Sequence, residues 1–308
     1  MTACLQAATR YIVMTIPYFI LMKRFGYDGE VYPIKKSSLS LKTMKTTLLH
    51  KLLATALIGF SLASAAAHAE DLLDTVKHRG TLQVALEGTY PPFDSKDAKG
   101  DLVGYDVDVA KAVAAKLGVK PVFVTTEWSG IIAGLKAGKY DVIVNQVGIT
   151  PQRQQAFDFS PPYTYSMPQL IQRKNDDRNF KSLDDLKGHK IGVSLGSNYN
   201  DMAKAVAGVQ VMTYPGAPEY LSDLAAGRID AALNDRLMLA YLLKTSPLPL
   251  RTGATVGDQV EMGIPFNKGN PKFAQAMNDA IASLEKDGTL TKISQKWFGI
   301  DVSKPITQ

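Results

Sequence analysis

Segments that suit buried strands alternate with segments that suit helices from residue 81 almost to the end of the chain. The first strand-like run is Thr81–Leu86, and the first helix-like run is residues 106–117, whose apolar side chains recur at helical spacing. The alternation continues through a strand at 119–125, a helix at 128–137 and a strand at 141–146. Strands that alternate with helices predict an α/β fold with mostly parallel sheets.

A second series of the same kind begins near residue 183. Its predicted elements are a helix at 183–186, strands at 190–194, 209–213 and 230–233, and helices at 199–207, 219–226 and 236–244. Residues 139–145 and 227–234 share one pattern: a helix end, an aspartate, an apolar strand and an asparagine. This repeat predicts two similar lobes, each a small doubly wound sheet, with residues 172–181 as a connection.

The chain ends in a predicted strand near residues 259–265 and two helices. Asn270 and Pro271 predict the start of the first of these helices, as its N-cap and its N1 residue.

Polar residues stand where four of the predicted strands end. They are Glu87, Asn145, Ser194 and Asn234. Ligands of doubly wound sheets bind beyond the carboxyl ends of the strands. A cleft between the two lobes would bring these side chains together.

The segment that starts at Met44 has the three parts of a secretory signal peptide. Lys45 and Lys51 give a positive start, residues 52–62 an apolar stretch, and the tripeptide that ends at Ala69 a cleavage signal. We therefore predict a signal peptide over residues 44–69, cleavage after Ala69, and a product in the periplasm.

Residues 1–43 precede this natural start, and we interpret them as an extension translated from too early a start codon. The alternative is a real extension with a short membrane segment at residues 11–22.

The basic character of the chain belongs to its leader. Of the 35 Lys and Arg residues and 29 Asp and Glu residues, eight and two lie in residues 1–69, so the rest of the chain has 27 of each. Composition therefore gives no argument for nucleic-acid binding by the folded part. The one cysteine is Cys4, so the mature chain has no disulfide, no thiolate chemistry and no lipidated cysteine.

The sequence argues against several kinds of catalytic or cofactor site. Residues 192–196 match the G-x-S-x-G nucleophile elbow around Ser194, but hydrolases of that type place the triad histidine after the serine. All four histidines precede Ser194: His50, His68, His78 and His189. These scattered histidines also predict no metal site, and no phosphate or dinucleotide motif occurs. We therefore expect no cofactor and no metal.

One cation and one anion remain as candidates for ligand binding. Arg153 follows the strand end at Asn145 and the flexible Gly148, and a guanidinium beside backbone amides is a good receptor for a carboxylate. Asp235 follows the strand of the second series. Each has an ordinary alternative, a solvated surface arginine and a helix N-cap. A cleft with both charges on opposite lobes would suit a zwitterion.

Separated motifs in the right order make the mature chain resemble a known family. They are Tyr90-Pro91-Pro92-Phe93, the run from Gly104 to Val109 with Val113, Ala114 and Leu117, the run from Asp158 to Tyr163, Lys286-Asp287-Gly288-Thr289 and Lys296-Trp297-Phe298-Gly299. The chain resembles the periplasmic solute-binding proteins of the polar amino-acid type, the binding components of ABC importers, over about residues 72–300.

The resemblance implies a type II periplasmic-binding-protein fold, two α/β lobes joined by two hinge strands with the ligand between them. It places residues 70–171 and 262–308 in lobe 1 and residues 172–261 in lobe 2. It also implies a monomer that takes a free amino acid and delivers it to an inner-membrane ABC permease with its ATPase.

The family's ligand contacts carry over by motif. Arg153 would bind the α-carboxylate with the N–H groups of Gly148 and Ser197, while Asp235 and the Gly148 carbonyl would bind the α-ammonium. Tyr90 and Trp128 would flank the ligand side chain. The specificity pocket would be formed by Glu87, Asn145, Gln146, Asn198 and Tyr199.

The loop and strand-end motifs around Glu87, Asn145 and Ser197 are most similar to the cystine-binding branch. Another polar amino acid of the glutamine, histidine or arginine type stays open, because close relatives often carry threonine where this chain has Gly148-Ile149-Thr150 and Ser197. The other class considered is a dehydratase on the same fold with Glu87 as general acid. The pairing of Arg153 with Asp235 favours a zwitterion and thus a binding protein without enzymatic activity.

Overall fold

The computed structural model describes residues 70–306. The predicted signal peptide and the extension before it lie outside the described residues. Within residues 70–306, no helix combines the length and the apolar character needed to cross a bilayer.

The elements of this part of the chain follow the predicted alternation. The helices are α1 (Leu72–Arg79), α2 (Tyr105–Lys116), α3 (Trp128–Lys136), α4 (Pro151–Ala156), α5 (Asn198–Lys204), α6 (Ala217–Ala225), α7 (Arg236–Thr245), α8 (Pro271–Lys286) and α9 (Thr289–Phe298), with a 3-10 turn at Asp184–Leu186. The longer strands are β1 (Thr81–Leu86), β5 (Lys120–Thr125), β9 (Pro168–Arg173), β10 (Lys190–Ser194), β11 (Gln210–Tyr214), β12 (Ala231–Asp235) and β13 (Leu250–Thr255). The short strands are β2 (Thr89–Tyr90), β3 (Asp94–Lys96), β4 (Leu102–Val103), β6 (Val142–Ile143), β7 (Phe157–Phe159), β8 (Thr164–Ser166), β14 (Val260–Met262) and β15 (Pro265–Asn267).

The first lobe is built on the parallel sheet β5-β1-β6. Helix α2 packs against this sheet and against α8 and α9 from the end of the chain. The side chains of α2 at helical spacing, including Val109 and Val113, are buried, as the sequence pattern predicts. This apolar packing holds the carboxyl ends of β1 and β6 in place.

The second lobe is built on a five-stranded sheet in the order β11-β10-β12-β9-β13. Its first three strands are parallel and in the same relative order as those of the first lobe. Strands β9 and β13 run antiparallel to their neighbours, which the sequence pattern did not predict. Parallel strands of both lobes end at the cleft, as doubly wound sheets require.

The chain passes between the lobes twice, and the two passages pair through β8 and β14. Residues 172 and 173, predicted as part of a connection, complete β9 instead. They pair with β13 across the sheet, a contact that a local sequence pattern does not contain. The assignment of residues 172–261 to lobe 2, and of the remainder to lobe 1, stays a prediction.

One further local prediction is corrected, and another is confirmed in position only. The strand predicted at residues 141–146 is regular only at Val142–Ile143, because Gln146 has a left-handed backbone with φ +50° and turns the chain away. Asn270 occupies the N-cap position of α8 but its side chain does not cap the helix. Asp71 does so from the other end of the chain, accepting from Lys272 N at 2.9 Å and Phe273 N at 3.1 Å.

Candidate functional site

A cleft of about 350 Å³ lies between the two lobes, where β1, β6, β10 and β12 end. It is lined by Glu87, Tyr90, Trp128, Asn145, Gln146, Ser194, Ser197, Asn198, Tyr199, Ala217 and Asn234.

The sequence predicted most of this lining. Eight of the predicted ligand-binding residues are in it: Glu87, Tyr90, Trp128, Asn145, Gln146, Ser197, Asn198 and Tyr199. Gly148, Arg153 and Asp235 are not part of the lining. The lining adds Ser194 and Asn234, which the sequence placed at strand ends without a role, and Ala217, for which the sequence carries no signal.

A carboxylate and an amide form a matched pair on the first-lobe wall. Asn145 Nδ2 donates to Glu87 Oε2 at 2.8 Å, and Asn145 Oδ1 accepts from Glu87 N at 2.7 Å. Burial raises the pKa of Glu87 to about 7, against the lowering effect of the Asn145 hydrogen bond. The wall therefore offers the ligand a carboxyl group of fixed position that titrates near neutral pH.

Next to this pair, the side chain of Gln146 is held by two residues that do not line the cleft. Its Nε2 donates to Asp106 Oδ1 at 2.6 Å and lies 3.4 Å from the Tyr163 hydroxyl, which itself donates to Asp106 Oδ1 at 3.0 Å. Asp106 is fully buried near the start of α2, and burial raises its pKa to about 7. The amide oxygen of Gln146 has no hydrogen-bond partner.

Arg153 spans the mouth of the cleft. Its Nη1 donates to the Gly148 carbonyl at 2.9 Å and its Nη2 to the Gly196 carbonyl of the second lobe at 3.1 Å. The guanidinium carbon lies 5.7 Å from the centre of the Trp128 ring, within the range of a cation–π contact. Burial lowers the pKa of Arg153 to about 10, so the group stays charged at neutral pH.

On the second-lobe wall, Ser197 caps α5. Its hydroxyl accepts from Asn200 N at 3.0 Å and donates to the Ser194 carbonyl at 2.8 Å. These bonds fix the turn that leads from β10 into α5, where Asn198 and Tyr199 reach the cleft.

Asp235 is fully buried at the end of β12. One of its carboxylate oxygens accepts from Leu237 N at 2.7 Å and caps α7, so the helix-cap interpretation holds. Its other oxygen lies 3.4 Å from the Tyr199 hydroxyl, which belongs to the cleft lining. Burial raises the pKa of Asp235, against the lowering effect of its hydrogen bonds and of the charge of Arg236.

Among residues 70–306, three hydrogen bonds cross the cleft between the lobes. Tyr90 Oη donates to Asn234 Oδ1 at 2.6 Å, and Ser129 N donates to the Pro215 carbonyl at 3.2 Å. The Arg153–Gly196 bond is the third. A ligand enclosed here would meet a carboxyl group, amides and hydroxyls on one side and a guanidinium at the mouth, an arrangement suited to a polar zwitterion.

Comparison with known proteins points the same way. A model of the family described as bacterial extracellular solute-binding proteins, family 3, matches residues 82–300. The chain is 45% identical to the L-cystine-binding protein TcyJ of Escherichia coli over 236 residues, 76% of this chain and 89% of that protein. It is 40% identical to the L-cystine-binding protein TcyA of Bacillus subtilis over 236 residues, 76% of this chain and 87% of that protein.

A solved structure is similar as well. The structure of an ancestral arginine-binding protein bound to arginine matches with a TM-score of 0.68 and 41% identity, covering 72% of this chain and 99% of that one. The fold predicted from the sequence, two α/β lobes of the type II binding-protein kind, is confirmed.

Proposed function

The chain belongs to family 3 of the bacterial extracellular solute-binding proteins, and we propose that it captures L-cystine between its lobes. It works in the periplasm, after cleavage behind Ala69, and delivers the amino acid to an inner-membrane ABC permease. The lining of the cleft carries this proposal: Glu87, two strand-end amides and the serines of the second lobe surround one space between the lobes.

In this proposal, the ligand's α-carboxylate replaces the two carbonyls that now receive the Arg153 guanidinium. Charge-assisted, bidentate bonds from an arginine to a carboxylate are stronger than bonds to neutral carbonyls, so the exchange favours binding. The N–H groups of Gly148 and Ser197 support the carboxylate. Asp235 receives the α-ammonium, and the positive charge offsets the cost of burying its carboxylate.

L-Cystine is favoured by the second charged end that it brings. Its far ammonium would meet Glu87, which the Asn145 pair holds at the wall of the cleft. A purely aliphatic ligand would leave these polar groups unpaired, at a cost of about 1–3 kcal/mol each. The two curated relatives described above bind L-cystine according to their names.

L-Arginine is the second candidate. Its guanidinium would also satisfy Glu87, and the similar solved structure holds arginine.

We propose binding without chemistry. Glu87 titrates near pH 7, as a general acid would. However, the lining contains no histidine and no second carboxylate to share proton transfer with it.

A thermal-shift panel of L-cystine, L-arginine, L-glutamine and L-histidine tests the proposal. A ligand at a hundred times its dissociation constant stabilises the fold by about 2.7 kcal/mol, so L-cystine should raise the melting temperature clearly. Adding a reductant should abolish the L-cystine shift. Because the only cysteine of the chain is Cys4, in the predicted extension, the reductant changes the ligand and leaves the mature protein unchanged.

The protein should first be unfolded and refolded to remove any bound amino acid. A shift with L-arginine alone would replace the ligand and keep the function. No shift with any of the four would overturn the proposal.

A further inference from the structure

Gln146 has an unusual backbone for a residue that lines a ligand cleft. Its φ of +50° makes it the one non-glycine residue with positive φ in residues 70–306. Such a conformation is costly for a side chain with a Cβ and persists where the surrounding structure enforces it. Two buried groups hold Gln146 in this conformation.

Those groups are Asp106 and Tyr163, neither of which lines the cleft. Asp106 Oδ1 accepts from Gln146 Nε2, and the Tyr163 hydroxyl accepts from Gln146 N at 3.3 Å. Both residues are fully buried. These two residues, which we call the clamp, thus hold Gln146 both at its backbone N–H and at the end of its side chain.

The clamp also determines which atom of the Gln146 side-chain amide, the nitrogen or the oxygen, is left without a hydrogen-bond partner. The Asp106 oxygen that faces Gln146 also accepts from the Tyr163 hydroxyl, so it acts as an acceptor there and the NH₂ group of Gln146 faces it. Thr164 Oγ1, 3.3 Å from the same nitrogen, is a third partner on that side. The amide oxygen consequently remains a buried acceptor without a donor, in a residue of the cleft lining.

A buried acceptor without a donor is unfavourable until something donates to it. Ammonium groups carry three donors and no acceptor, which matches this oxygen and the neighbouring carboxyl of Glu87.

We propose that Asp106 is a positioning residue for ligand recognition, which holds Gln146 so that its Oε1 accepts a hydrogen bond from an ammonium group of the bound amino acid. This inference rests on the proposed function of the same cleft. It extends the recognition machinery to a residue of α2 that never touches the ligand.

A charge-swap cycle tests it, with L-cystine as the probe and calorimetric titration as the measurement. Asp106→Asn lets the amide of Gln146 adopt either orientation, and affinity should fall roughly tenfold to a hundredfold, the value of a hydrogen bond to a charged group. Gln146→Glu places a second carboxylate against Asp106, and affinity should fall as well, because two carboxylates in one buried site cannot both ionise.

The double variant, Asp106→Asn with Gln146→Glu, restores an amide facing a carboxylate with the roles exchanged. Asparagine then donates, and the free oxygen of the glutamate remains an acceptor in the cleft. The double variant should recover most of the affinity that either single variant loses. A purely structural role of Asp106 gives no such recovery, because the two changes would then add.

Asp141→Asn is the matched control, since it removes another buried carboxylate of the first lobe, next to Gln83 at the start of β6. It should leave affinity unchanged. If Asp106→Asn does not fold, Tyr163→Phe removes the other half of the clamp and should weaken binding in the same direction.

Unchanged affinity in Asp106→Asn, or a double variant as weak as the weaker single variant, would overturn the inference. The unaltered protein is titrated alongside. If it fails to bind L-cystine, the proposed ligand is wrong and the cycle is repeated with the amino acid that does bind. This result is distinct from normal L-cystine binding by Asp106→Asn.

Discussion

The two lobes begin their ligand-facing strands in the same way. Asp141 in the first lobe and Asp230 in the second each donate a backbone N–H to the neighbouring parallel strand. Each also accepts from that strand through a side-chain oxygen, Asp141 from Gln83 N at 2.7 Å and Asp230 from Lys190 N at 2.9 Å. The repeat seen in the sequence is therefore a repeat of hydrogen bonds.

Four residues later the lobes differ. Asn145 bonds within its own lobe, to the backbone and side chain of Glu87. Asn234, at the equivalent position, accepts from the Tyr90 hydroxyl of the other lobe and donates to Tyr220. One sequence pattern thus builds a preformed receptor wall in the first lobe and a closing contact in the second.

Under the proposed function, this difference between the lobes couples ligand capture to closure. The first lobe supplies Glu87, Gln146 and Arg153 in fixed positions, and the second supplies Asp235 and the contact to Tyr90. A ligand that binds both walls favours the arrangement in which the lobes touch, by its difference in affinity for the two arrangements.

The largest loss of affinity is expected when the cation of the first lobe is removed. Arg153→Ala should lower L-cystine affinity by roughly a hundredfold or more, since two charge-assisted hydrogen bonds are lost. Calorimetric titration measures the loss. Helix α4 should persist because Thr150 still accepts from the backbone N–H of residue 153. Arg228→Ala, which removes an exposed arginine paired with Asp223, is the control. Normal affinity in Arg153→Ala would contradict the carboxylate assignment.

The second-largest loss of affinity is expected when the charge of Asp235 in the second lobe is removed. Asp235→Asn should weaken L-cystine by roughly tenfold to a hundredfold, because an ammonium bonds less strongly to a neutral amide than to a carboxylate. Asparagine caps helices about as well as aspartate, so α7 stays intact and the change isolates the charge. Titration against the unaltered protein gives the ratio. Near-normal binding would place the ammonium elsewhere.

The dependence of affinity on pH tests the role of Glu87 in the first lobe. Glu87 has a pKa of about 7 in the fold against an ordinary value of 4.5, so the stability that it contributes is full below about 4.5 and is lost as pH rises through 7. A ligand ammonium stabilises the carboxylate and lowers that pKa. Binding should therefore release protons, and affinity should rise with pH around 7 by up to about tenfold per unit.

Other buried acids contribute to the same pH profile. Asp106 has a pKa of about 7, Asp94 and Asp235 have raised pKa values through burial, and Glu219 adds its charge to Glu87. The difference between the unaltered protein and Glu87→Gln isolates Glu87. Parallel pH profiles for the two proteins would remove Glu87 from the linkage.

The smallest expected effect concerns the closing contact. Tyr90→Phe deletes the hydrogen bond to Asn234 and keeps the aromatic ring, so affinity should fall only about twofold to tenfold, the net value of a neutral hydrogen bond. Small-angle scattering without ligand should show a more open average shape. Tyr214→Phe, which loses a hydroxyl bonded to Asp223 within the second lobe, should change neither measurement. Equal behaviour of the two variants would argue against a closing role.

Local patterns predict the parallel core of both lobes because those strands and helices are long and periodic. Strands β1 and β10 lie where the sequence predicts them. The antiparallel strands β9 and β13 were missed because their pairing joins residues about eighty positions apart, and Gly253 packs on Leu170 without a periodic signal.

The cleft lining was predictable because its residues lie at strand ends and in motifs of the family. The long-range contacts that hold the lining residues in place were not predictable. Asp106 reaches Gln146 across 40 residues, and Tyr90 reaches Asn234 across 144. Contacts at such separations depend on how the lobes pack, which a single sequence does not display.

The most direct test of the central claim, that L-cystine binds between the lobes, uses tryptophan fluorescence. Trp128 lines the cleft, whereas Trp297 lies in α9 and donates to Asp108. In a Trp297→Phe background, Trp128 is the only tryptophan left. We expect a saturable change with L-cystine that disappears on adding reductant and in Arg153→Ala. A protein that binds L-cystine while Trp128 fluorescence stays constant, or whose signal survives Trp128→Phe, would contradict it.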